Sequence, residues 1–201
     1  TMSPADIANL ARSPELAFRA SFDGEIPPLS TLYWRALTLS RFDGRSWSQD
    51  RLLNNLPALP LDTSGESVEY RVVAGASGQH WVYSLRGATT DNPALRRMHD
   101  FNLQSIAPLN STFGYRARSY VNVQMQAEPL SKLERARQLE LPQQGDPRAR
   151  EWAQALREQH PDDDDLVQAV LGYFNQQPFF YTLKPTPLGE HSNDEFLFDT
   201  R

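Results

Sequence analysis

The chain has 201 residues, 39% of them hydrophobic, with 20 basic and 25 acidic side chains and a formal net charge of −5. That length carries one large domain or two small ones, and scattered basic residues under a mild negative charge exclude a nucleic-acid partner. No apolar run approaches the ~20 residues that span a bilayer, and with no cysteine disulfides, thiolate metal sites and a cysteine nucleophile are excluded within these residues.

The opening TMSPADIA shows no signal peptide and is compatible with a targeting or anchoring segment upstream. In ELAFRASFDG, Leu16, Phe18, Ala20 and Phe22 alternate with more polar residues before an Asp-Gly turn, which predicts a strand. TLYWRALTLS is apolar on both faces around Trp34, which predicts a central strand covered twice. Residues 48–66, with Pro57, Pro60 and Gly65, predict a long mobile loop. VEYRVVA, HWVYSL, FNLQSIA and YRARSYVNVQMQ are four more strand candidates; in the last, Tyr115, Ala117, Ser119, Val121 and Val123 share one face. About seven short strands separated by Gly, Pro and Asn signals predict an antiparallel, Ig-like two-sheet β-sandwich over residues 1–127.

The period changes after Glu128-Pro129. Ser131 to Leu139 predict a short linking helix. Asp146-Pro147 reads as a cap with proline at the first helical position, and Ala149, Trp152, Ala153 and Leu156 then fall on one helical face. Leu166, Val167, Val170, Leu171 and Phe174 form the stripe of a second helix. Residues 128–201 are therefore a linker and a helical segment, and the class is mainly β with α. Two helices bury little without a partner for each stripe.

Few residues carry chemistry. Asp162 to Asp165 lack EF-hand spacing and read as acidic residues at a helix N-terminus, where the macrodipole favours them. His80, His99, His160 and His191 have no zinc-pair spacing. Neither a metal nor a cofactor site is expected. Trp34, Trp47 and Trp81 with Tyr33 and Tyr83 fill a core or offer a stacking platform for a sugar. Asp194, Glu195 and Asp199 serve either acid–base work or capping. No catalytic constellation is complete.

LVQAVLGYFNQQPFFYTL and DEFLFDTR resemble the approach to the transglutaminase-like core of the papain-type superfamily, through Tyr173, Phe174, Pro178, Phe179, Tyr181, Leu183, Asp194, Phe196, Leu197 and Phe198. SPELAFRASFDGEIPP and LYWRALTLSRFDGRSW are similar to bacterial inner-membrane proteins of the transglutaminase protein A type. The resemblance implies a β-sandwich followed by the helical start of a transglutaminase-like core. It further implies a periplasmic location, a membrane anchor outside this chain, and protein or peptide glutamine donors with amine acceptors as partners. The family's catalytic Cys, His and Asp have no counterparts here, so the chain is expected to stop before the nucleophile and to be inactive alone, with Tyr181, Asp194 and Asp199 shaping the cleft. The rival expectation is a periplasmic module that binds glycan or protein beside an inactive core.

Overall fold

The computed structural model describes residues 2–3, 16–123, 125, 129–180, 182 and 186–200. The chain divides into a β unit, Pro14–Arg41 with Gln49–Leu139, and a helical unit, Thr1–Ser13 with Phe42–Ser48 and Glu140–Arg201.

The β unit is built on two seven-residue strands, β4 (Val68–Ala74) and β8 (Phe113–Ser119), paired antiparallel with Val68 opposite Ser119 and Ala74 opposite Phe113. Strand β1 (Phe18–Phe22) adds to β4, and β5 (Ala88–Thr89) to β8, giving the sheet order β1-β4-β8-β5. Strands β6 (Leu95–Arg97) and β7 (Leu103–Ser105) form a separate antiparallel ribbon. The described strands thus make one four-stranded antiparallel sheet and small ribbons where the sequence predicts two larger sheets.

Period-two patterning decides which face is buried. Tyr70, Val72 and Ala74 of β4 and Tyr115, Ala117 and Ser119 of β8 point inward, and the residues between them are outward. The inward face joins Val82, Leu85, Leu103 and Leu109 in the core. Burying each large apolar side chain contributes roughly 1.5–3 kcal/mol. The polar groups at the centre of this core are satisfied by one another: the Tyr70 hydroxyl accepts from the Leu85 N–H at 2.9 Å and lies 2.8 Å from Ser119 Oγ. Gly87 is required where the chain turns into β5, because its φ is +63° and a Cβ there would meet the Tyr120 carbonyl oxygen at 2.7 Å.

Two expectations need correction. TLYWRALTLS is not a strand; its only ladder contact among the described residues is the isolated bridge Arg35–Ser84. Apolar residues on both faces there reflect packing without a ladder. Leu32 and Trp34 are half-buried against the core, the Trp34 ring edge-on to Tyr70 at 5.3 Å and to Phe18 at 5.0 Å. Within 48–66, a one-turn helix α1 (Arg51–Asn54) forms because the Asp50 carboxylate accepts from the Leu52 N–H at 2.8 Å and Leu53 is buried.

Helix α2 (Lys132–Gln138) closes the β unit. Ser131 and Glu134 make a capping box, the reciprocal arrangement that satisfies two otherwise orphaned N–H groups. Arg137 pairs with the buried Asp50 at 2.7 Å, tying α2 to the cap of α1.

Strands β2 (Arg41–Phe42) and β3 (Trp47–Ser48) make a short hairpin around Gly44, of which Phe42–Ser48 belong to the helical unit. Helix α3 (Pro147–Gln159) opens with proline, and α4 (Asp163–Gln176) is capped by Asp162, whose carboxylate accepts from the Asp164 and Asp165 N–H groups at 2.9 and 3.1 Å. The aspartate run is a helix start. A short helix α5 (Ser192–Asp194) continues into a π-helical turn, Glu195–Asp199. Among the described residues no helix is long and apolar enough to cross a membrane.

Candidate functional site

The helical unit brings Asp194 and Asp199 to the N-terminus of α3. Asp146, read from the sequence as the α3 cap, does not cap it. Its backbone is left-handed at φ 49° and its side chain makes no bond to α3. The Asp146 carboxylate instead accepts from the Asn193 N–H at 2.9 Å, the Asn193 amide at 2.7 Å and the Asp194 N–H at 3.3 Å. The cap of α3 is supplied from the other end of the unit: Asp194 Oδ2 accepts from the Arg148 N–H at 3.1 Å and Oδ1 from the Ala149 N–H at 2.7 Å. Each aspartate thus satisfies the helix start that carries the other. The first N–H groups of a helix have no intrahelical partner, and each carboxylate lies at the positive end of a dipole. Both are buried, Asp194 at 4% and Asp146 at 8% exposure.

His191 joins this knot. Its Nδ1 accepts from the Asp146 N–H at 3.2 Å, which fixes the tautomer with the proton on Nε2. Asp199 is different. It is half-exposed and takes Arg148 Nη1 on both oxygens, at 3.0 and 2.9 Å, while the Arg148 guanidinium lies 4.6 Å over the Phe198 ring. Tyr173 donates its hydroxyl to the Leu197 carbonyl at 3.0 Å, and Trp152 stands 4.8 Å from the Tyr173 ring and 6.3 Å from Phe198. Beyond them Phe174, Phe179 and Phe196 pack ring on ring. Tyr181 lies outside the described residues.

Both oxygens of Asp194 are engaged by N–H groups, so its geometry is that of an anchor that fixes α5 and the following turn against α3. Asp199 keeps access to solvent. Sequence reasoning did not single out Arg148 as a partner or Asp146 and His191 as parts of this knot; Asp146 was legible only as a local cap. Among the described residues no group of three or more His, Asp or Glu side chains is placed to hold a metal ion.

A second polar cluster belongs to the β unit. His99 Nδ1 lies 2.7 Å from the Pro57 carbonyl oxygen and Nε2 lies 2.6 Å from Glu134 Oε1. Both neighbours accept, so the arrangement favours the protonated ring, which can donate from both nitrogens. Burial pulls the His99 pKa down, but the Pro57 carbonyl and the Glu134 carboxylate outweigh it and raise it above the ordinary value. Hydrogen bonding by Ser131 first, then by His99, holds Glu134 at about 2. The aromatics are divided: Trp34 and Tyr83 pack on the core, Tyr33 is exposed, and Trp47 is partly exposed and stacks on Phe42 at 5.0 Å.

This antiparallel sheet followed by a helical unit has close relatives. Residues 1–126 match the family model of the TgpA N-terminal domain, and the chain belongs to that family. It is 44% identical over all 201 residues to a protein-glutamine gamma-glutamyltransferase of Pseudomonas aeruginosa, of which it spans 30%. In structure it is similar to the periplasmic domain of TgpA from Pseudomonas aeruginosa, with TM-score 0.92 at 44% identity, covering 99% of this chain and 69% of that one. The same domain bound to ethylmercury gives 0.88 at 43% identity, covering 99% and 70%. The chain is thus homologous to a periplasmic part of a transglutaminase.

Proposed function

We propose that the chain is the non-catalytic, N-terminal part of the periplasmic region of a membrane-anchored protein-glutamine gamma-glutamyltransferase. Identity of 44% along its whole length to such an enzyme carries this reading. The chemistry would use a cysteine thiolate outside these residues. The thiolate attacks the γ-carboxamide carbon of a protein or peptide glutamine, the C–N bond breaks and ammonia leaves with a proton, forming a thioester. An amine then attacks the thioester, the C–S bond breaks, and an isopeptide bond forms as the thiol is regenerated; water in place of the amine gives glutamate. Asp194, Asp199 and Tyr181 are the chain's cleft-shaping candidates. Asp194 acts through the position it gives the turn after α5, and Asp199 through its hold on Arg148. The membrane anchor would lie in segments outside the chain, with the chain itself on the periplasmic side of the inner membrane.

The test is incorporation of a fluorescent primary amine into a glutamine-bearing acceptor protein. The 201-residue chain is expected to give none, having no thiol. The longer protein is expected to be active, and cysteine-to-alanine substitution at its nucleophile to abolish the activity. Transamidation by the 201-residue chain, or full activity after that substitution, overturns the reading. The partly exposed Trp47–Phe42 stack favours the second reading, a module that binds glycan or protein beside an inactive core. A longer protein lacking the cysteine would decide for it.

A further inference from the structure

The outward face of the four-stranded sheet holds a concavity of about 800 Å³, with β4 and β8 as its floor and residues 89–93 as one wall. The register places two arginines on one rung: Arg71 of β4 is directly opposite Arg116 of β8. Opposed residues on adjacent antiparallel strands have their Cβ atoms about 5 Å apart, and like charges there are destabilising. On the adjacent outward rung the same strands pair Glu69 with Arg118, which are joined by an ion pair. Among the described residues Arg71 and Arg116 have no such partner. Two uncompensated guanidinium groups on one rung are what a bound oxyanion would neutralise, since each offers a planar fork of donors.

The rest of the concavity selects among oxyanions. Three arginines against Glu69 and Asp91 leave a lining charge of +1, which suits a singly charged carboxylate better than a phosphate of charge about −1.5 to −2. On the outward rung beyond the arginines, Val73 is 41% exposed and faces Gly114. A Cβ at Gly114 would meet no side chain within 4 Å. Val73 and Gly114 leave an apolar gap on β4 and β8 beside the charged rung, bordered on β1 by Arg19, which is opposite Val73. Thr90 donates its hydroxyl to the Arg116 carbonyl at 2.7 Å, which fastens the wall to the floor.

We propose that this face binds a carboxylate between Arg71 and Arg116, with an apolar substituent of the same ligand on Val73 and Gly114. The ligand is either a small free carboxylate or the C-terminal carboxylate of a peptide. The proposal does not depend on the transglutaminase reading.

The experiment titrates the isotope-labelled 201-residue chain with butyrate, with N-acetyl-trialanine, with the amide of that peptide and with inorganic phosphate, following backbone amide resonances. Saturable shifts at Arg71, Gly114 and Arg116 are expected with the two carboxylates and not with the amide, weakening as chloride is added. The doubly substituted R71Q/R116Q chain, altered only at exposed positions, is expected to bind at least tenfold more weakly with its core resonances unchanged. Tighter binding of the peptide than of butyrate assigns the site to peptide C-termini, and equal binding assigns it to small carboxylates. The proposal is overturned by equal shifts from acid and amide, by tighter binding of phosphate than of butyrate, by unsaturable shifts, or by unchanged affinity in the R71Q/R116Q chain.

Discussion

The two units of this chain bury different things. The β unit buries mainly apolar side chains, with Val72, Val82, Leu85 and Leu103 almost inaccessible, alongside the polar Asp50, Ser84, Asn102, Ser105, Ser119 and Glu134. The helical unit buries polar groups. Its buried residues among those described are Leu197 and the polar Asp146, Ser192 and Asp194, and neither α3 nor α4 has a buried residue. Val167, Leu171, Phe174, Phe180 and Phe196 remain substantially exposed. A sheet with one apolar face can complete a core with short ribbons and loops. Two helices with one stripe each cannot, and here the knot of Asp146, Asp194 and His191 fixes the geometry that packing alone would leave loose.

The comparison is broken if both units respond alike to loss of apolar volume. Leu103 is 0% exposed, and Leu103→Ala should destabilise the β unit by about 2–5 kcal/mol, the usual transfer and cavity cost. Leu171, 56% exposed on α4, should tolerate the same change at a cost well under about 1 kcal/mol. Chemical denaturation followed by tryptophan fluorescence measures both. Similar losses at the two leucines would show that the exposed helical stripe is packed after all.

In the helical unit the larger loss should come from a polar residue. Asp194→Ala removes both acceptors from the start of α3 and leaves their N–H groups without a partner. A lost cap costs about 0.5–2 kcal/mol, and because Asp194 is buried and both N–H groups lose their acceptor, a loss near the upper end, about 2 kcal/mol, is expected. Asp194→Asn keeps one acceptor oxygen and should lie between. Amide exchange at Arg148 and Ala149, accelerated in Asp194→Ala and near normal elsewhere in α3, is the local readout.

Much of the β unit was legible because its signal is local. Alternation identifies 68–74 and, from Tyr115, the second central strand with its inward face, although that strand begins at Phe113 and ends at Ser119 where the sequence predicts it running on through Val121 and Val123. The helix after Ser131 was legible too, its capping box with Glu134 only in the structure. The Asp162 run was legible as a helix start for the same reason. TLYWRALTLS misled because apolar residues on both faces say that a segment is covered, not that it pairs with a neighbour. The knot around Asp146 was illegible for another reason. Its partners lie some 45 to 48 residues away, and the left-handed backbone that turns the Asp146 side chain away from α3 leaves no mark in the spacing. The Arg71–Arg116 rung likewise exists only once the strand register is known.

The His99–Glu134 pair gives the β unit a pH dependence. Glu134 titrates below its ordinary value of 4.5, at about 2. It therefore contributes stability above pH 4.5 that is lost as pH falls toward 2. The His99 pKa is raised above 6.5, so its contribution is fully present below 6.5 and is lost as pH rises through the elevated value. The pair should stabilise most between about pH 4.5 and 6.5. His99→Gln, which keeps one donor and loses the charge, should cost about 1–2 kcal/mol at pH 6 and remove the decline from neutral to alkaline pH. A decline of the same size in His99→Gln and the parent would assign it to another group.

The smallest effect is expected at the ion pair that looks strongest on paper. Arg148 takes Asp199 on both oxygens, yet the two side chains are 52% and 49% exposed. Exposed pairs contribute about 0–1 kcal/mol, since water competes for both charges and holding two side chains in place costs entropy. Asp199→Ala should therefore cost less than about 0.5 kcal/mol, and less still at 1 M salt, where the screening length falls to ~3 Å. Arg148→Ala should cost more, because it also removes the guanidinium from the Phe198 face, a contact that contributes about 0.5–1 kcal/mol at an exposed site. That part should persist in high salt better than the ion pair. The two substitutions divide the role of Asp199 in two. A small stability loss together with reduced amine incorporation in the longer enzyme would mark Asp199 as a cleft residue. An equally small loss with unchanged activity would leave it as a surface charge that Arg148 happens to hold.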